Sequence, residues 1–145
     1  MSVRPEGATP PAQEAPSVVE LRIPSRPEWV AVARLTVAAV ARHLPFTVEE
    51  VEDVKLAVAE ACTTVIQTSD DEGIIDILCR AEAKQLHIRV RGARPESAQP
   101  HERHRVPEDS ESLGVFLIGA LMDDVRHNSD AHTGTELNMT KRVAT

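Results

Sequence analysis

Aromatic side chains are almost missing from this sequence: Trp29, Phe46 and Phe116 are the only ones in 145 residues, and there is no tyrosine. A core must therefore be built from Val, Leu, Ile and Ala, and no stacking platform for nucleobases is at hand. Basic residues are also in deficit, 16 Lys and Arg against 23 Asp and Glu for a net charge of −7. Phosphate backbones would be repelled, which argues against nucleic acid as a direct ligand. No run approaches the roughly 20 apolar residues of a membrane-spanning helix, and the first residues lack the apolar stretch of a signal peptide. The expectation is a cytoplasmic chain without membrane segments. Cys62 and Cys79 sit singly in apolar segments, outside any C-x-x-C spacing, and read as buried free thiols. The one histidine cluster, His101-Glu102-Arg103-His104, lies in a Pro-flanked loop without the helical frame of H-E-x-x-H, so no metal site is expected.

What is present is 41% hydrophobic residues in a length that suits one domain. Residues 1–16, with Pro5, Pro10, Pro11 and Pro16, read as a disordered tail preceding a domain over 17–145. From Val18 the apolar residues Val19, Leu21 and Ile23 alternate with Glu20 and Arg22, the period of a half-buried strand. Ser25-Arg26-Pro27-Glu28 has the form of a capping box opening a helix toward His43. Thr47-Val48-Glu49-Glu50 is a second capping box, with Phe46 and Val51 spaced as a hydrophobic staple. In the helix it opens, Val51, Val54, Val58, Ala61 and Val65 form an apolar stripe, while Asp53, Ala57, Glu60, Thr64 and Gln67 line another face.

Two alternating segments follow, Ile75–Glu82 and Leu86–Arg91, closing a hairpin through Ala83-Lys84-Gln85. Gly92 to Ser112 lacks periodicity and reads as a long loop. Arg89, Arg91, Arg94, Arg103 and Arg105 make the stretch from His87 to Arg105 locally basic, suited to an acidic partner surface, to an anion, or simply to solvent. A helix is predicted from Leu113 to Val125, with Leu113, Leu117 and Leu121 in the core and Leu121 buried against the sheet. Strands over Val125–Ser129 and Thr135–Val143 end the chain. The order β-α-α-β-β-loop-α-β-β is that of an α+β two-layer sandwich, three helices on one face of a mostly antiparallel sheet.

Two stretches carry a family resemblance: Val54-Lys55-Leu56-Ala57-Val58-Ala59-Glu60-Ala61-Cys62-Thr63-Thr64, and Leu117-Ile118-Gly119-Ala120-Leu121-Met122-Asp123-Asp124-Val125 followed by Gly134-Thr135. They resemble the N-box helix, and the helix after the ATP lid, of the anti-sigma-factor serine kinases of the RsbW type, in the GHKL ATPase superfamily. The resemblance implies a glutamate general base, kept as Glu60, and a Mg²⁺-binding asparagine four residues later, where this chain has Thr64. A hydroxyl is shorter and a poorer hard-cation ligand than an amide oxygen. The adenine-binding aspartate and paired glycines of the family correspond to Gly92, Arg94 and Glu96, and the phosphate-cradling Gly-x-Gly to Ser112-Leu113-Gly114. Gly134 stands in the glycine-threonine turn.

The resemblance implies partner switching: binding of a sigma factor, release by a STAS-domain antagonist, and homodimers. With three motifs altered, the expectation is a binding regulator without kinase activity and without a bound cofactor. The alternative is an active serine kinase using Mg·ATP, with Glu60 as base. A truncation beginning at Ser17 is expected to keep the melting temperature of the full chain, because the tail has too little apolar surface to offset the entropy of ordering; a loss of several degrees in a thermal melt would contradict this.

Overall fold

The computed structural model describes residues 16–68, 73–93, 108–130 and 134–144, with only the backbone for residues 108–112 and Asp130. The predicted tail over 1–15 and the residues 94–107 lie outside it. Five strands, β1 (Ser17–Pro24), β2 (Ile74–Glu82), β3 (Gln85–Ala93), β4 (Asp124–Asp130) and β5 (Gly134–Arg142), form one antiparallel sheet in the order β1-β2-β3-β5-β4. The helices α1 (Val30–Ala41), α2 (Val48–Thr68) and α3 (Glu108–Leu121) cover one face. This is the α+β two-layer sandwich expected from the element order.

The alternation in the strands explains which face is covered. Ile75, Ile77 and Cys79 in β2, Leu86, Ile88 and Val90 in β3, and Leu137 and Met139 in β5 are buried. The register aligns them in rows, Ile77 with Val90 with Leu137 and Cys79 with Ile88 with Met139. Their neighbours of opposite parity point to the helix-free face. The hairpin between β2 and β3 turns on Ala83 and Lys84 alone, at φ 47° and 63°, with Gln85 already in β3. Both residues are in the left-handed region without being Gly or Asn, at a cost of roughly 1–2 kcal/mol each.

The Thr47 capping box forms as read: Thr47 N–H donates to Glu50 Oε1 at 2.8 Å, and Glu50 N–H donates to Thr47 Oγ1 at 3.1 Å. Behind it the whole stripe Val51, Val54, Val58, Ala61 and Val65 is buried. Ala57 and Thr64 on the second face are buried as well, because α2 is flanked by α1 and α3 while lying on the sheet. Burial pushes the Cys62 and Cys79 thiols up to about 12, so both stay protonated and inert at neutral pH.

Three readings need correction. The Ser25 box does not form: Ser25 is buried with its N–H bonded to Gly73 O at 3.0 Å, and the cap position falls to extended Arg26, with no side-chain cap bond, before a single 3-10 turn over Pro27–Trp29. The third helix begins at Glu108, inside the predicted loop, and ends at Leu121 rather than Val125. Its last carbonyl, Leu121 O, accepts a bond from Lys141 Nζ at 2.6 Å, and Asp123 N–H bonds Thr140 O, drawing the chain into the sheet. Lys141 also lies 3.7 Å from Asp53 of α2. Finally, α3 buries Gly114, Ile118 and Met122, not the leucines; Leu113 is 60%, Phe116 71% and Leu117 40% exposed, and Leu121 is half-buried.

Ile118, fully buried, therefore replaces Leu121 as the anchor of α3. Ile118→Ala is expected to cost about 2–5 kcal/mol in denaturant unfolding, and Phe116→Ala no more than about 0.5 kcal/mol; equal losses would mean that the helix faces are reversed.

Candidate functional site

Most of the residues singled out by the family motifs meet beside the C-terminal half of α2. Its i, i+4 spacing stacks Glu60, Thr64 and Thr68 on one flank. Glu60 is partly exposed, and no hydrogen-bond partner for its carboxylate is found among the described residues. Thr64, 3% exposed, donates its hydroxyl to the Glu60 carbonyl at 3.0 Å. This is the back-bond available to a helical threonine, and it engages the only proton that hydroxyl has. Thr68 repeats the pattern toward Thr64 O at 3.0 Å and Val65 O at 3.1 Å. Its oxygen lies 2.8 Å from Thr135 Oγ1. Since the Thr68 proton is directed at the helix carbonyls, Thr135 is the donor in that pair.

Two glycines close the site from opposite sides. Gly114 of α3 lies against Thr64: a Cβ there would stand 3.0 Å from Thr64 Oγ1 and 3.9 Å from Glu60 Oε1. Gly92, opposite Ile75 in the ladder, is buried under α2, where a Cβ would stand 2.9 Å from Val65 Cγ1 and 3.9 Å from Thr135 O. Gly134, at φ 99°, begins β5 just before Thr135; a side chain is disfavoured in that backbone conformation.

The structure thus brings together Glu60, Thr64, Gly92 and Gly114, with Gly134 next in sequence to a member of the cluster. Of Ser112 only the backbone is described. Because α3 starts at Glu108, Ser112 and Gly114 lie within the helix and not at its N-terminus, so their N–H groups are not the free donors that a phosphate cradle needs. Arg94 and Glu96 lie outside the described residues, as does the His101–His104 cluster. Sequence reasoning missed Thr68 and the Thr68–Thr135 pair. The signal is the third member of the i, i+4 series from Glu60, which falls on buried Thr68 and not on exposed Gln67.

Chemically, the cluster is a chain of satisfied hydroxyls capped by one solvated carboxylate. Mg²⁺ with a nucleotide requires open oxygen ligands around the metal, whereas Thr64 is buried, bonded to its own helix and covered by Gly114. The residues present at these positions do not fit Mg·ATP held in the manner the family motifs imply. Among the described residues no group of three or more His, Cys, Asp or Glu could hold a metal ion, and no helix is long and apolar enough to cross a membrane.

Comparison with known proteins gives a consistent relationship. Residues 23–141 match the family described as histidine kinase-like ATPase domain. The chain is 35% identical over 140 residues to the serine-protein kinase RsbW of Halalkalibacterium halodurans, covering 87% of this chain and 83% of that protein. It is 33% identical over 136 residues to the serine-protein kinase RsbW of Bacillus subtilis, covering 85% and 84%. With that of Bacillus pumilus it shares 32% over 143 residues, covering 88% and 87%.

The Gly92–Val65 contact supplies a direct test of the packing. Gly92→Ala is expected to lower stability by about 1–3 kcal/mol, and Val65→Ala in the same chain to recover part of that loss, so that the two changes are non-additive by at least about 0.5 kcal/mol in a double-mutant cycle. Strict additivity would place Gly92 away from α2.

Proposed function

Because the chain belongs to the histidine kinase-like ATPase domains, and among them to the serine-protein kinase RsbW family, we propose that it is an anti-sigma-type partner-switching regulator that works by binding and not by phosphoryl transfer. The observation that carries this reading is the state of Thr64. At the position where the family motif calls for a metal-binding asparagine, the hydroxyl is buried, donated to Glu60 O at 3.0 Å and packed against Gly114. Phosphoryl transfer rests almost wholly on metal electrostatics and positioning, and both would have to be supplied by residues other than these.

The proposed partners are a sigma factor and a STAS-domain antagonist. Without transfer of a phosphate from this chain, occupancy is set by competition between the two. Each can shift the balance only by the difference in its affinity for the free and engaged forms. A homodimer is proposed as well. Val19 on edge strand β1, Trp29 and Leu35 are exposed apolar side chains on neighbouring elements, a surface suited to a second copy.

The reading in which the chain is a serine kinase keeps one favourable feature, a solvated Glu60 free to act as base. Thermal melting with Mg·ATP separates the two. Low-micromolar binding at millimolar ligand would raise stability by roughly 3–4 kcal/mol, whereas the proposal requires no shift. It also requires Glu60→Ala to leave sigma-factor and antagonist affinity within about twofold, since that carboxylate has no nucleophile to activate. A clear melting shift, or phosphate transfer to an antagonist serine that is lost in Glu60→Ala, would establish the kinase instead.

A further inference from the structure

The sheet face turned away from the helices carries charges that partner switching as proposed above does not use. On the strands of this face every cation is an arginine among the described residues. The register arranges the side chains in rows running across the strands. In one row Asp76 is held between two arginines, with Arg22 Nε at 2.6 Å and Arg91 Nη2 at 3.3 Å. Toward the other end of the strands Arg80 pairs with Glu82 at 2.7 Å, and Arg142 with Asp124 at 3.2 Å. Four arginines thereby share three carboxylates.

The row between them differs. It runs Glu20, Leu78, Arg89, Asn138, Arg126, with Glu20 two strands from Arg89, and neither arginine forms an ion pair among the described residues. The Asn138 amide, which separates them, is turned to Glu136, donating at 2.8 Å. Arg89 Nε is sealed from solvent without a hydrogen-bond partner among the described residues, a condition that buried donors in folded proteins rarely tolerate. Two guanidinium groups thus stand without an ion pair among the described residues, on a face where Glu20 also has none and Glu136 is engaged by the Asn138 amide. Arginine is the cation best suited to fork-like capture of carboxylates.

We propose that the part of this row from Leu78 to Arg126 is a docking surface for an acidic segment of a protein partner, with Arg89 and Arg126 each taking one carboxylate and Leu78, beside Arg89, giving an apolar contact. The two arginines are separated by two strand spacings, about 10 Å between their Cα atoms. A pair of carboxylates on one polypeptide spans that gap, and a single small anion does not. The surface is on the opposite side of the sheet from Glu60 and Thr64, so the proposal stands whether or not ATP is used.

The test is a titration of the isotope-labelled full chain with a hexaglutamate peptide, following backbone amide shifts, with hexalysine and inorganic phosphate as parallel arms. The expected result is saturable shifts at the Leu78, Arg89, Asn138 and Arg126 amides with hexaglutamate alone. Arg89→Gln and Arg126→Gln should each weaken binding at least about tenfold, and Arg142→Gln, whose charge is already paired, less than about twofold. Arg126 is exposed on an edge strand, so its variant keeps the test valid even if Arg89→Gln fails to fold. Shifts absent from this row, unchanged affinity in Arg126→Gln, or equal saturation by inorganic phosphate would overturn the proposal.

Discussion

The structure depends on α2 lying flush against the middle of the sheet. Its stripe from Val51 to Val65 has no exposed member, and at its far end Val65 descends into the gap left by Gly92 in β3. A side chain at position 92 would hold the helix away from the strand, and the loss would extend to the Thr68–Thr135 pair beside it. With α2 fixed at that height, α1 and α3 pack along its flanks. The same constraint decides the character of the candidate site. Glu60 and Thr64 are one turn apart on a helix that cannot rise, and α3 approaches them closely because Gly114 has no side chain to hold it off.

The departures from the family motifs form one arrangement. A threonine in place of a longer amide leaves room for α3 to close over it. The glycine in place of an aspartate removes a charge from beneath α2 and leaves the approach of Val65 unobstructed. At both positions the residue present serves packing: Thr64 bonds its own helix and Gly92 admits Val65. A buried hydroxyl that bonds its own helix costs little to enclose, whereas an unpartnered carboxylate under α2 would be expensive. On the proposed reading, weaker metal and nucleobase contacts go together with closer internal packing.

Much of the fold could be read from residue order alone. The alternation in β2 and β3, the Thr47 box and the stripe on α2 are local signals, and tertiary packing agrees with each of them. The failures have physical causes of the opposite kind. Ser25 has the chemistry of a cap, but the pairing of its N–H with Gly73 draws it inward. On α3 the four-residue spacing points to the leucines, the largest apolar groups, as the core. The contact is made by Gly114, Ile118 and Met122, because a glycine was needed where the helix crosses Thr64. Hydropathy has no term for that requirement. Of the site, Glu60 and Thr64 were legible from spacing, while the Thr68–Thr135 pair joins residues 67 positions apart, a distance no local pattern spans.

Lys141 ties the end of α3 to the sheet and stands near Asp53 with only 13% of its side chain exposed. Its positive charge sits at the negative end of the helix dipole, where little mobile salt can reach it. Arg142–Asp124, one residue along on the other face, is more than half exposed on both sides, within ready reach of counterions. Rising ionic strength therefore acts unevenly on this molecule: it loosens the charge pattern of the helix-free face first and leaves the seat of α3 in place.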